Sequence, residues 1–383
     1  MASSPVHSNP FHFGNPVEGS NYLPRSDLSR SIAGFIENKV HVVLIGPRRF
    51  GKTSFCLDLL KQLEAKGRTT LYVDIFNVTS HRDFLQQWMR ALKSKKNWMR
   101  KLKEWTESLP KLRPKFNWNT DPNTGEPTLS LSADWATSED PKELIQDLLA
   151  ASQQMGKEVV VCIDEFQRLA EIEDGGWLEA TLRSHMQQMK NVAFLFTGSR
   201  KGIISDMLNN ANRPFYRSCQ PIEFPAFGAE FTEWIVKKFD LLGIQCDPTA
   251  INALRKELQE TPNYVQMACF HLVALGYKKI DPQSAMTVLR SIVKQNAYAY
   301  QTLLNTLTLT QQRTLRLCAN HSEQVYAKEL GKRYEIASGA ALHSAIKMLK
   351  DKQILDEGSA KGRVIFDDPL FAIWLRAEFQ EGG

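Results

Sequence analysis

Gly46-Pro-Arg-Arg-Phe-Gly51-Lys52-Thr53 has the spacing G-x-x-x-x-G-K-T, a pattern suited to gripping phosphate. Its glycines let the backbone turn N–H groups onto an anion, and the free amides of a helix start add positive partial charge aimed at the same place. Lys52 would reach the β- and γ-phosphates of a nucleoside triphosphate, and the Thr53 hydroxyl would sit on Mg2+. Arg48 and Arg49 are loop cations, either solvated and raising the local potential or in specific phosphate contact. The expected nucleotide-binding run is therefore Gly46, Pro47, Arg48, Arg49, Phe50, Gly51, Lys52, Thr53 and Ser54.

Binding alone is not hydrolysis, which needs a carboxylate for the metal and a group that orients water. Val159-Val-Val-Cys-Ile163-Asp164-Glu165 is an apolar run ending in adjacent acids, placed where a buried parallel strand presents its carboxyl end. Asp164 would hold Mg2+, directly or through water, and Glu165 would polarise the attacking water as a general base. A further apolar run ends in Thr197-Gly-Ser199-Arg. Either Thr197 or Ser199 could hydrogen-bond the γ-phosphate or the water; Ser199, later at the strand tip, is preferred.

Elements must place these groups. The run at 40–45 is too apolar for a surface strand and stops at Gly46-Pro47; apolar residues at 55, 59, 60 and 63 then mark one helical face, ended by Gly67. Strand-like runs recur at 70–75, 159–163, 192–196 and 221–224, with helical patterns between them. That alternation predicts a parallel sheet covered on both faces, with the strand bearing Ser199 between the P-loop strand and the Asp-Glu strand. The first 30 residues, rich in Pro, Asn, Ser and Gly, read as an extended lead-in. A turn-rich stretch at 119–127 reads as a hairpin. From residue 230 helical spacing takes over, with candidates at 231–242, 248–260, 264–276 and 282–307. Helices at 310–320, 326–333 and 338–351, followed by two short strand-like runs near 353 and 363, suggest a winged helix.

With 383 residues, 43% hydrophobic and 23% charged, the chain has the composition of ordinary folded domains. Six scattered cysteines without a C-x-x-C pair read as reduced core thiols and argue against zinc. No basic-then-apolar leader opens the chain, and no run approaches about 18 apolar residues, so a cytoplasmic location and no membrane partner are expected. The formal charge of +6 is local: residues 89–115 hold ten Lys or Arg against two Glu.

The motifs together resemble the prokaryotic, archaeal-type P-loop ATPases of the STAND group among AAA+-like ATPases. The resemblance rests on FGNPV at 13–17, YLPR at 22–25, GPRRFGKTS at 46–54, IDEFQRL at 163–169, FTGSR at 196–200 with GIISDML at 202–208, and PFYR at 214–217. It implies an α/β fold, a P-loop NTPase parallel sheet of the ASCE type, followed by a helical lid domain and a C-terminal winged-helix domain. The expected division is a core over 1–228 with a basic insertion at about 84–140, a lid over 229–307 and a winged helix over 308–383. By the same resemblance, Val17 and Tyr22 would border adenine, and Arg217 would sense γ-phosphate charge, in cis or from a neighbouring subunit. Pro262 would match the family's Gly-x-Pro lid motif, whose glycine is replaced here by Glu260.

Catalysis is thus expected from Glu165, Lys52, Ser199 and Arg217, with ATP or ADP and Mg2+ as cofactors. Two functions are consistent with these parts. One is an ATP-driven switch whose nucleotide state alters lid and winged helix and so controls an unknown protein partner or self-assembly. The other is a DNA-acting ATPase of mobile-element, defence or other DNA-transaction functions. For the latter, the helix carrying Ser338, His343, Lys347 and Lys350 lies in a segment, 310–383, with eleven basic and ten acidic residues, a poor footprint for phosphate contacts. The basic insertion 89–115 has its cations interleaved with Trp88, Trp98 and Trp105, which could stack on bases; Trp88, Leu92, Met99, Leu102 and Trp105 could equally be a buried helical stripe.

Overall fold

The computed structural model describes residues 9–95, 103–104, 116–120, 127–131, 141–358 and 362–379. Its packing divides the chain into two compact units. A sheet unit comprises Pro24–Gly46 and Lys52–Phe224. A helical unit comprises the lead-in through Leu23, the loop Pro47–Gly51, and the chain from Pro225 onward.

The sheet unit runs α1 (Ser26–Glu37), β1 (Val42–Ile45), α2 (Lys52–Ala65), β2 (Thr69–Asp74), α3 (His81–Lys93), β3 (Phe116–Thr120), β4 (Pro127–Leu131), α4 (Pro141–Ala151), β5 (Val159–Asp164), α5 (Gly175–Gln188), β6 (Val192–Gly198), α6 (Lys201–Asn209) and β7 (Gln220–Glu223). Five strands form one parallel sheet in the order β2-β5-β6-β1-β7. Every residue of β5 and β6 is buried, as strands covered on both faces must be. β6 lies between the P-loop strand and the Asp-Glu strand, as expected. β3 and β4 pair antiparallel, so the expected hairpin forms.

Two expectations change here. Residues 26–30 of the expected lead-in are helical instead, opening α1, where Ser29, Ile32, Ala33 and Ile36 are buried at helical spacing, a stripe masked by the Ser and Arg residues around it. The expected insertion boundary near 84 falls inside α3, whose Phe84, Leu85, Trp88, Met89 and Leu92 join the sheet unit's core. Trp88 and Leu92 are therefore packing residues. Met99, Leu102, Trp98, Trp105 and most cations of the basic segment lie outside the described residues.

The helical unit contains α7 (Ala229–Asp240), β8 (Gln245–Cys246), α8 (Pro248–Glu257), α9 (Pro262–Ala274), β9 (Lys279–Ile280), α10 (Pro282–Gln295), α11 (Ala297–Asn305), α12 (Leu309–Asn320), α13 (Lys328–Arg333), α14 (Gly339–Asp351), β10 (Leu355–Glu357), β11 (Val364–Phe366) and α15 (Pro369–Glu378). The helix expected over 282–307 breaks at Asn296, whose Nδ2 donates to Ile292 O at 2.9 Å, a side-chain bond that competes with helix continuation. β10 and β11 pair antiparallel as the wing. No helix among the described residues is long and apolar enough to cross a membrane. The six cysteines are free, and all but Cys219 are buried.

Candidate nucleotide site

β1 delivers the chain to Gly46, where a Cβ would lie 2.6 Å from the Phe224 Cβ, so only glycine lets the strand end this close to its neighbour. Gly51 has φ 92°, a conformation that strains any residue with a side chain. α2 opens at Lys52, so the first amides of the helix stand at the end of this loop, where a helix start favours an anion. The Lys52 side chain is buried, and its Nζ donates to Gly46 O at 2.8 Å.

The acids stand at the end of β5. Parallel register pairs Asp74 with Asp164, Tyr72 with Cys162, and Cys162 with Leu195, so Tyr72, Asp164 and Thr197 share one sheet face. On that face Asp164 is crowded with donors. Thr53 Oγ1 and Tyr72 OH each donate to Oδ2 at 2.7 Å. Thr197 Oγ1 donates to Oδ1, and Glu165 N donates to the same oxygen at 3.0 Å. Burial first, then the Asp164 charge, pushes the Tyr72 phenol far above its ordinary range, so it stays a donor. Desolvation at the crowded strand end, with the charges of Asp164 and Glu165, raises the Asp74 carboxyl.

Glu165 is half-buried and adopts the left-handed conformation, φ 59° and ψ 43°. Such a backbone costs a non-glycine residue of order 1 kcal/mol and is commonest where function demands it. Its Oε2 accepts from Ser199 Oγ at 2.9 Å and from Gln167 Nε2. The two strand-tip hydroxyls thus divide the acids: Thr197 holds Asp164, and Ser199 holds Glu165. Arg217 does not join this cluster. It is exposed, has φ 49°, and its guanidinium lies 5.1 Å from the Tyr216 ring centre.

Within the helical unit the lead-in is tied down. Phe11 packs on Phe239 at 4.6 Å, Gly14 N donates to Asn263 Oδ1 at 2.8 Å, and the buried Lys238 donates to Pro10 O at 2.8 Å and Asn21 Oδ1 at 3.1 Å. Val17 is half-buried and Tyr22 buried. Pro262 is the first residue of α9, and Glu260, where the motif's glycine would stand, has φ 58° and pairs with Arg255 at 2.6 Å. The left-handed turn is kept without the glycine.

Arg48 and Arg49 also have partners in this unit. Arg48 lies 3.9 Å from Asp367 Oδ2. Arg49 donates to Tyr264 OH, its guanidinium 4.9 Å from that ring's centre. Tyr300 OH donates to Asp368 Oδ2 at 3.0 Å, and burial, then the charge of Asp368, raises the Tyr264 phenol. Asp368 caps α15 by accepting from Leu370 N. Sequence reasoning did not find Tyr72, Gln167, Tyr264, Asp367 or Asp368 as site residues. Only Asp368-Pro369 carried a local signal, as an N-cap before a first-turn proline.

Residues 36–205 match the model of the AAA domain, and residues 298–377 match that of a “Probable winged helix domain”. The chain carries a P-loop ATPase domain of AAA-like type, followed in sequence by a winged-helix domain. Among solved structures, a Walker-type ATPase of Pyrococcus abyssi is 17% identical with a TM-score of 0.67, over 96% of this chain and 99% of that one. The Aeropyrum pernix ORC2 protein, in ADPNP-ADP complexes, is 16% identical with a TM-score of 0.53, over 94% and 96%. At these identities the likeness speaks for the fold. No curated protein matches the sequence.

Proposed function

We propose that this AAA ATPase is a Mg2+-dependent switch of the STAND type, in which phosphate occupancy at the P-loop is read by the winged helix. The observation that carries this is the pairing of both P-loop arginines within the helical unit, Arg48 with Asp367 at the wing's end and Arg49 with Tyr264 of α9 beside Asp368. A triphosphate would compete for the same guanidiniums, so phosphate binding and the position of Asp367 and Asp368 are linked.

The chemistry is assigned to the sheet unit. A hydroxyl and a carboxylate, Thr53 and Asp164, are hard oxygen donors that suit Mg2+, and Thr53 Oγ1 can give its hydrogen to Asp164 while its lone pairs face an ion. The bound ion would neutralise charge on the β- and γ-phosphate oxygens. Lys52 contacts the same phosphates, and Glu165, steadied by Ser199, takes the proton of the attacking water. Val17, Tyr22 and Pro262 are proposed to border adenine, and Arg217 to meet γ-phosphate charge in cis or from a neighbouring subunit. The lid over 229–307 and the winged helix over 308–383 are the proposed moving parts.

Three of the four candidate DNA-reading residues on α14 already have local partners. Ser338 caps the helix, His343 stacks on Tyr326 at 4.5 Å, and Lys350 pairs with Glu357 at 2.9 Å. A protein partner or self-assembly is therefore the favoured output, and a gel shift at moderate salt is expected to find no DNA affinity. Hydrogen exchange across residues 364–370 is expected to differ between ADP-bound and ATP-analogue-bound protein, with the difference lost in Asp367→Ala. Identical exchange in both nucleotide states would refute the switch.

A further inference from the structure

Among the described residues, Asp164 receives four protein donors: Thr53 and Tyr72 on Oδ2, Thr197 and the Glu165 amide on Oδ1. Donors on both oxygens, three of them side chains from three other elements, stop the carboxylate's rotation. Three of these donors come from the P-loop helix and the two strand tips already assigned to nucleotide chemistry. The fourth comes from β2, the edge strand of the sheet.

Tyr72 is not at the strand tip. Its register partner is Cys162, and the residue beside Asp164 is Asp74. The phenol must therefore reach along its strand by two residues, about 6.6 Å at the usual rise, which matches a tyrosine and exceeds any aliphatic hydroxyl. The opposite face of β2, formed by Leu71, Val73 and Ile75, is buried in the core, so the strand cannot roll and the ring direction is set by the backbone. Tyr72 thus acts through Asp164.

We propose that Tyr72 is a positioning residue of the metal site, locking the Asp164 carboxylate so that Oδ2 faces Thr53 and thereby setting the affinity for the divalent ion that accompanies the nucleotide. The inference rests on the assignment of Thr53 and Asp164 to that ion. Outer partners of metal-binding groups typically contribute about 10–100-fold in metal affinity, and the lone hydroxyl lost in Tyr72→Phe falls at the lower end of that range.

The test uses the full chain with ADPNP and Mn2+, read by electron paramagnetic resonance, beside ADPNP affinity measured in EDTA. Tyr72→Phe is expected to weaken Mn2+ binding about 10-fold while leaving the metal-free nucleotide affinity unchanged. Tyr72→Leu, which removes the same hydroxyl from Oδ2, is expected to give the same split and serves if Tyr72→Phe does not fold. Mn2+ affinity that is unchanged or tighter overturns the inference, as does an equal loss in both measurements, which would mean a merely structural role. Asp164→Asn is run in parallel: if it retains parental Mn2+ affinity, the metal assignment itself is wrong, and the role of Tyr72 fails with it.

Discussion

Glu165 is the residue on which turnover depends. Its left-handed backbone and the hydroxyl of Ser199 on Oε2 hold a carboxylate at the end of β5 beside the P-loop strand's neighbour. Replacing it with Gln keeps the shape but removes the base, so ATP affinity is expected to stay within about threefold while turnover falls by about 10²–10⁴-fold. Phosphate-release kinetics beside a binding isotherm check this; parental turnover would reassign the base. Glu165 was legible in the sequence because two acids closing an apolar run have few other uses next to a P-loop. Tyr72 was not, because an aromatic residue in a strand is first of all a good strand former, and only the register with β5 reveals what its hydroxyl meets.

The P-loop works as an element because glycines at both of its ends allow the turn that a side chain would block. Gly46→Ala would press a methyl onto Phe224, whose Cβ would lie 2.6 Å away. We expect a loss of about 1–3 kcal/mol, seen as a lower midpoint of thermal unfolding, together with weakened nucleotide binding because the turn must shift. A variant as stable as the parent would mean that Phe224 yields freely. Helices and strands of the sheet unit were readable from periodicity because each buries one stripe or one run. α1 escaped because its stripe is short and flanked by polar residues, and the single helix expected over 282–307 escaped division because one asparagine side chain, at 296, decides the break.

At the scale of the molecule, nucleotide binding should appear as stability. A ligand that binds only the folded state, at a free concentration of about 100 times its Kd, adds about 2.7 kcal/mol. An ATP analogue with Mg2+ is therefore expected to raise the denaturant midpoint of the parent and leave that of Lys52→Ala unmoved; a shift in both would place the nucleotide elsewhere. The sequence by itself determined the parallel sheet, the phosphate loop, the paired acids and the C-terminal winged helix, because those depend on local spacing and on apolar runs that only a covered strand explains. Only the tertiary structure decided which donors converge on Asp164, and that Arg48 and Arg49 meet Asp367 and Tyr264. Such pairings join residues far apart in the chain through strand register and packing, and no local pattern encodes the distance between them.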